Sequence, residues 1–242
     1  MGVPTALRLL EAWEGAATAP AWERPLWLLG AAEYDFQEAA GLALGERDGR
    51  LLQLWEAVFG PELNGVTVCP RCGDRLELKL PTSDLRSSNG EAENPPFDLC
   101  FDEFAVRFRL PNTQDLAAGS ACRTEEEARR LIFQRCVLAM EQRETAMPVE
   151  SAPEEVVKRV ARRMSEADPL ADSELALSCP WCDHRWTVPF DVGSFVWTEF
   201  NVWAQKRLEE VHLLASAYGW SETAILELSP LRRRYYVEAA CR

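Results

Sequence analysis

The N-terminal quarter of the chain distributes its apolar residues with the 3.6-residue period of α-helices. This period predicts helices over residues 4–18, 22–33 and about 46–58. Pro25 suits the first turn of the second helix, where no N–H donor is needed. Gly60-Pro61 ends the third helix. We therefore expect residues 1–60 to form an N-terminal helical region.

The period changes to two in the next segment. Residues 75–80 (RLELKL) alternate polar and apolar side chains, as in a strand with one buried face. Residues 82–96 are rich in Ser, Asn, Gly, Glu and Pro and predict a loop. Residues 97–110 predict a β-hairpin with its turn near Asp102-Glu103. Residues 61–111 thus form a predicted β region.

Helical signals return over residues 112–170, which we expect to form an inserted helical segment. Two residue pairs have the spacing of a capping box and precede apolar residues at helical spacing: Thr124 with Glu127, and Ser151 with Glu154. The first of these helices is predicted to continue to Leu138. Residues 142–152 predict a short linker between the two helices.

The last third of the chain predicts a strand–turn–strand unit over residues 171–191. A helical region follows over residues 192–242. It divides into a long helix at about 192–218, a short helix near 221–228, and a last helix from Ser229-Pro230 onward.

An internal repeat carries the candidate chemistry. VTVCPRCGDRLELKL and LALSCPWCDHRWTVPF share the order strand, Cys-Pro-x-Cys, tight turn, strand. Two such knuckles supply four sulfur ligands, which is the full tetrahedral shell of one structural zinc ion. The predicted ligands are Cys69, Cys72, Cys179 and Cys182. His184 is an alternative ligand, although a second-shell contact to a sulfur suits it better.

Two other interpretations of the cysteines stay open. A Cys-x-x-Cys pair can be a redox centre, but such pairs open a helix, whereas Gly73-Asp74 and a strand follow Cys72. The four residues can also form two disulfides or be incidentally buried. Taken together, the patterns predict an α+β fold that is mostly helical, in which helical N- and C-terminal regions surround a small antiparallel β region built on the two zinc knuckles.

The composition of the chain excludes several classes of function. The formal net charge is −13, which disfavours binding to nucleic acid or to an anionic membrane surface. The chain has no apolar run of the ~18 residues that a membrane span requires. The N-terminus lacks the apolar core of a signal peptide, so we expect synthesis in the cytoplasm. Thiols stay reduced there, which favours metal over disulfides.

Catalytic patterns are missing from the sequence. The chain has two histidines, and it contains no G-x-S-x-G, P-loop or dinucleotide-binding glycine pattern. A zinc ion held by four thiolates has no open position at which to activate water. We therefore expect a binding or structural protein and no enzyme.

The C-terminal segment EVHLLASAYGWSETAILELSPLRRRYYVEAA places a helix before an aromatic-Gly-Trp turn, then a short helix, then a basic last helix. It is similar to the ending of tail and baseplate assembly proteins of contractile phages and related injection systems. RDGRLLQLWEAVFGPELNGVTVCPRCGDRLELKL and LSCPWCDHRWTVPFDVGSFVWTEFNVWAQKRLEEVH resemble the T-even-type phage baseplate protein family. More narrowly, they resemble its zinc-knuckle members in phage-tail-like contractile injection systems.

The resemblance runs from about residue 40 to the end of the chain. It implies a role at the baseplate hub or in hub assembly, hub, spike or tube proteins as partners, and no catalysis. We expect the protein either to remain in the assembled particle or to act as an assembly chaperone. The residues that we assign to partner contact are Trp220, Arg232, Arg233, Arg234 and Tyr235. The alternative hypothesis is a cytosolic zinc-ribbon adaptor or regulator that binds protein or nucleic acid.

Overall fold

A computed structural model describes residues 2–87 and 96–241 of the chain. The chain divides into two compact units. Unit 1 comprises Met1–Phe36 and Gly193–Arg242, and unit 2 comprises Gln37–Val192.

Helices make up most of the described chain, with small antiparallel sheets between them, and the predicted α+β class is confirmed. The helices are α1 (Ala6–Thr18), α2 (Arg24–Ala31), α3 (Phe36–Gly41), α4 (Leu44–Phe59), α5 (Thr82–Ser87), α6 (Thr113–Ser120), α7 (Glu125–Cys136), α8 (Glu154–Ala167), α9 (Val192–Tyr218), α10 (Glu222–Leu226) and α11 (Pro230–Ala240). The strands are β1 (Glu62–Val68), β2 (Arg75–Pro81), β3 (Phe97–Phe101), β4 (Phe104–Phe108), β5 (Val137–Gln142), β6 (Thr145–Ala146), β7 (Glu174–Ser178) and β8 (Arg185–Pro189). A 3₁₀ turn spans Val149–Ser151.

Unit 1 is helical, and its helix ends follow the sequence signals. Gly219 adopts a φ of +68° directly after α9, a left-handed conformation that glycine adopts without steric cost. The Ser221 and Ser229 hydroxyls accept backbone N–H bonds and cap α10 and α11. A small core joins Leu10, Ala204 and Leu226 from three helices. None of the helices in the described part of the chain is long and apolar enough to cross a membrane.

Unit 2 is built on a four-stranded antiparallel sheet in the order β3-β4-β5-β6. The predicted hairpin is present, with Phe101 opposite Phe104 and the turn at Asp102, whose φ is +48°. The Phe97 and Phe108 rings stack across it at 5.5 Å between centroids. Buried side chains of α8, β4 and β5 complete this core: Val106, Phe108, Met140, Val156 and Val160. Burial of these side chains holds the sheet and α8 together.

The inserted segment 112–170 is not helical throughout its non-linker part, because the predicted continuation of its first long helix to Leu138 is wrong. The helix α7 ends at Cys136, and Val137–Gln142 forms β5, which pairs with the free edge of β4. The pairing contains a β-bulge, because Phe108 lies opposite Val137 while Arg107 lies opposite Ala139. Because of the bulge, Val137 and Met140 both face the core although they are three residues apart. Buried residues at this spacing are also typical of a helix.

Two smaller predictions are also corrected. The proposed capping box of Ser151 and Glu154 does not form, because the Ser151 hydroxyl donates to the Pro148 carbonyl at 2.7 Å and α8 follows Pro153 instead. The predicted loop over residues 82–96 begins with a short helix, α5. The remainder of that loop, residues 88–95, lies outside the described residues.

A buried ion network braces α6 and α7 in unit 2. The Asp115 carboxylate is fully buried and accepts two bonds from the Arg109 guanidinium, at 2.6 and 2.9 Å, and one from Arg135 Nε at 2.8 Å. It also accepts the Asn112 N–H at 3.0 Å, while the Asn112 side chain accepts the Asp115 N–H at 3.1 Å, so the pair forms a capping box. Burial raises the pKa of Asp115, but these hydrogen-bond donors lower it by a larger amount. The pKa of this carboxyl therefore lies below its usual value.

Candidate metal centre

Each Cys-Pro-x-Cys sequence lies at the tip of its own two-stranded antiparallel ribbon. The strands β1 and β2 form one ribbon, which closes at the pair Val68–Arg75. The strands β7 and β8 form the other, which closes at the pair Ser178–Arg185. Both ribbons belong to unit 2, so the fold brings together two tips that are far apart in sequence.

The two tips have the same backbone turn. In the first, Cys69 N donates to the Asp74 carbonyl and Gly73 N to the Cys69 carbonyl, both at 2.9 Å. In the second, Cys179 N donates to the His184 carbonyl at 2.9 Å and Asp183 N to the Cys179 carbonyl at 3.0 Å. The fifth residue of each loop has a positive φ, +79° at Gly73 and +55° at Asp183. The sequence repeat is therefore a structural repeat.

The structure brings the four predicted cysteines together. Their sulfur atoms all lie within 4.8 Å of one another. Cys69 Sγ lies 3.7 Å from Cys182 Sγ, and Cys72 Sγ lies 3.6 Å from Cys179 Sγ. Each of these short distances joins one ribbon to the other. This set of four thiols could hold a metal ion.

The two tips bury their cysteines in the same order. Cys69 and Cys179 are each 1% exposed, while Cys182 is half-buried and Cys72 is exposed. The buried pair packs against Leu76 and Trp186. The apolar side of each ribbon therefore lies against the sulfur cluster and shields one flank of it from water.

Backbone N–H groups point at the sulfurs and tune their protonation. Burial raises the pKa of the Cys69 thiol, but the N–H groups of Cys72 and Arg71 lower it more, to about 7. The N–H of Asp74 lowers the pKa of Cys72, but burial and the neighbouring Asp74, Cys179 and Cys69 side chains raise it, and the net direction is upward.

Cys182 repeats the pattern of Cys72. It accepts the N–H of His184, two residues onward, which lowers its pKa, but burial and the Cys179 and Cys69 thiols raise the pKa, and the net direction is upward. Four thiolates this close repel one another, so a cation is required for all four to lose their protons. The donors prepare individual sulfurs for negative charge, and a metal ion would supply the rest of the stabilisation.

His184 is not part of the cluster of potential ligand atoms found among the described residues. Its ring stacks on Trp186 at 5.6 Å between centroids, and its backbone N–H contacts Cys182 Sγ. Four further cysteines also lie outside this cluster: Cys100, Cys122, Cys136 and Cys241. The second-shell contact that the sequence predicted for His184 is made by its backbone N–H. The backbone donors at Arg71 and Asp74 were not identified from the sequence, although the repeated turn contained the signal.

The predicted partner-binding residues lie in unit 1 and divide into two groups. Arg233 is 6% exposed, and its Nε donates to Glu210 at 3.0 Å, so its guanidinium braces α11 on α9 rather than facing a partner. Trp220 is half-buried and packs between the Tyr218 and Tyr236 rings, at 4.8 and 4.9 Å. Arg232, Arg234 and Tyr235 are exposed. Exposed Leu231 beside them was missed because it is a single apolar residue in a basic run.

Comparison with known proteins finds a match to one protein-family model. The model of a family described as T4 bacteriophage base plate protein matches residues 32–197. The matched region contains all four clustered cysteines and the whole of unit 2. It ends before the segment 219–242, whose own resemblance stays a prediction. No curated protein and no solved structure matches the chain significantly.

Proposed function

The chain belongs to the T4 bacteriophage base plate protein family and has a structural role related to the phage baseplate, and from that premise we propose a more specific function. The protein is a non-enzymatic component or assembly chaperone of the baseplate hub in a contractile, phage-tail-like injection system. One structural zinc ion stabilises it. It is made in the cytoplasm, and its partners are hub, spike or tube proteins.

The geometry of the four sulfurs carries the proposal of zinc. A tetrahedral zinc site with Zn–S bonds of about 2.3 Å has sulfur–sulfur edges of about 3.8 Å. The two shortest distances between the ribbons, 3.7 and 3.6 Å, are close to that edge. Cys69, Cys72, Cys179 and Cys182 would hold the ion as thiolates. The backbone N–H groups directed at the sulfurs support the same charge state.

The donor set also supports a structural rather than a catalytic role. Four thiolates fill a tetrahedral shell and leave no position for substrate or water. The bound ion would supply only a cross-link between two ribbons. The chain's own residues shape the turns, orient the sulfurs and bury one flank of the cluster.

Two kinds of experiment test this function, one on the metal and one on the partners. Protein purified without added metal should contain close to one zinc ion per chain by elemental analysis, and X-ray absorption should give four sulfur neighbours at about 2.3 Å. Nitrogen or oxygen ligands in the first shell would contradict the structural site. A shell with an open position would favour a zinc hydrolase instead.

The second kind of experiment tests whether the protein binds baseplate proteins. The full chain should co-purify with at least one hub, spike or tube protein when it is co-expressed with the proteins encoded beside it. Chaperone and component are then separated by whether it remains in finished particles. Absence of every such partner, together with salt-dependent binding to DNA or RNA, would overturn the baseplate role in favour of a nucleic-acid-binding adaptor.

A further inference from the structure

One face of α11 exposes large side chains that unit 1 does not use. Leu231 and Tyr235 are 70% and 68% exposed, and they lie four residues apart, on the same side of the helix. Arg232 and Arg234 lie at the two edges of this apolar pair. We call these four residues the C-terminal stripe.

The stripe is held in place rather than loose. The Tyr235 ring contacts the Tyr236 ring at 5.7 Å, and Tyr236 in turn packs edge-on against Tyr218 at 5.9 Å. The ion pair of buried Arg233 with half-buried Glu210 fixes the opposite side of α11. A preformed helix of this kind presents its exposed side chains with little further loss of entropy on binding.

The charge of the stripe differs from that of its surroundings. Helix α11 carries three arginines and one glutamate, whereas residues 2–36 and 193–229 of unit 1 carry four basic and ten acidic residues. Within the described part of the chain, Arg232 makes no ion pair, and Arg234 reaches only Glu238, at 3.9 Å. Two guanidinium groups are therefore available to carboxylates of another molecule.

These observations select the class of partner. Exposed Leu and Tyr flanked by Arg form the kind of surface found at the centre of protein interfaces, where Tyr and Arg are enriched. Two available arginines on an acidic unit are too few to hold a phosphate backbone. Two stripes packed symmetrically would set arginine against arginine, which opposes a two-fold dimer through this face.

We propose that the C-terminal stripe docks on an acidic segment of another baseplate protein. Leu231 and Tyr235 seat in an apolar contact, while Arg232 and Arg234 pair with carboxylates at its edges. The inference rests on the proposed function, because it takes the partner to be a baseplate component.

Site-specific photo-crosslinking identifies the occupant. The full chain carries p-benzoylphenylalanine at position 231, or as a matched control at Val202, which is 56% exposed on α9. Both are co-expressed with the baseplate proteins encoded beside the chain, and crosslinked peptides are sequenced by mass spectrometry. The expected product at position 231 is a peptide of a different baseplate protein with more Asp and Glu than Lys and Arg.

Three outcomes overturn the inference: crosslinks to a second copy of this chain, crosslinks to a neutral or basic segment, or a yield no greater than at position 202. If the wild-type chain co-purifies with baseplate proteins and any of these occurs, the docking inference fails and the proposed function stands. If the wild-type chain has no baseplate partner, the proposed function itself fails.

Affinity for the crosslinked partner, measured with purified proteins, gives a second arm. We expect Arg232→Glu with Arg234→Glu to weaken binding by about 100-fold and Tyr235→Ala by about 30-fold, as for residues central to an interface. The control is Arg129→Glu with Arg162→Glu, two exposed arginines of α7 and α8, which changes the net charge equally. Equal losses in the two double variants would show that net charge alone acts, and would refute the stripe.

Discussion

Loss of one sulfur from the metal centre should weaken the whole of unit 2. The perturbation is Cys179→Ser, which removes a buried proposed ligand and leaves a hydroxyl that binds zinc poorly at neutral pH. We expect the variant to lose metal and stability together. Metal binding and folding are coupled because the unfolded chain has no preformed site.

The magnitude follows from the length of chain that a bound metal ion would close. Cys72 and Cys179 are 107 positions apart, and Cys69 and Cys182 are 113 apart. If the metal acts as a cross-link on the unfolded chain, a loop of this size is worth about 5 kcal/mol at 25 °C. In a unit of this size, that loss lowers the melting temperature by about 10–20 °C.

The assay combines urea unfolding, a thermal melt and elemental analysis on the same preparations. Cys100→Ser is the matched control, because Cys100 is exposed on β3 and lies outside the cluster. It should retain the metal and change the free energy of unfolding by less than about 0.5 kcal/mol. A strong chelator should lower the wild type to the stability of Cys179→Ser and leave that variant unchanged.

The cross-link argument is refuted if Cys179→Ser loses its metal but melts at the wild-type temperature. The ion would then be bound without linking the ribbons. If the variant loses stability but keeps one tightly bound ion, Cys179 is a packing residue and the ligand set is wrong. The first result would overturn the proposed structural role of the zinc, and the second would overturn the proposed ligand set.

Three further predictions concern the fold. Asp115→Asn should lower the free energy of unfolding by about 3 kcal/mol at pH 7. Because the pKa of Asp115 is lowered in the folded state, its contribution is present above the unfolded-state pKa of about 3.9 and is lost as the pH falls through the folded-state pKa, so wild type and variant should converge in urea titrations carried toward low pH. Phe108→Ala should lower the free energy of unfolding by about 4 kcal/mol, since the Phe108 ring is fully buried. Substitution of its neighbour, Arg107→Ala, should lower it by less than about 0.5 kcal/mol. Equal losses in the two variants would contradict the register of β4. Gly219→Ala should destabilise unit 1 by about 1 kcal/mol because of its positive φ, while Gly30→Ala, in open helical space, should be neutral or stabilising in the same thermal melt.

The sequence predicted best where one local signal decided the structure. The helix α9 was expected at about 192–218 and spans Val192–Tyr218, because Gly219 ends it and Ser221 begins the next helix. The two knuckles were predicted for the same reason, since the Cys-Pro-x-Cys spacing and the flanking strands are local. That the two knuckles lie together in the fold was inferred only from the ability of four thiols to complete one zinc shell. The 107 positions from Cys72 to Cys179 contain no sequence pattern that predicts this contact.

Non-local pairing explains what was missed. The residues of β5 (VLAMEQ) are mostly good helix formers, and only the free edge of β4 makes them a strand. The bulge then placed Val137 and Met140 inward at a helical spacing. The short helices α3 and α5 have six residues each, too few to display a period. Arg233 was assigned to a partner because no sequence pattern revealed its buried bond to Glu210.

The separation of the two knuckles also sets an order in time. Ribosomes add about 5–20 residues per second, so the 107 positions between Cys72 and Cys179 take roughly 5–20 s to synthesise. During that interval the first pair of thiols offers only half of a ligand shell. The shell becomes complete only when residue 182 has emerged, after the strands and helices from β3 to α8 have been made. If a metal ion binds these four thiols, its coordination therefore follows the synthesis of every element of unit 2 up to β7, and a nascent chain interrupted earlier cannot complete the site.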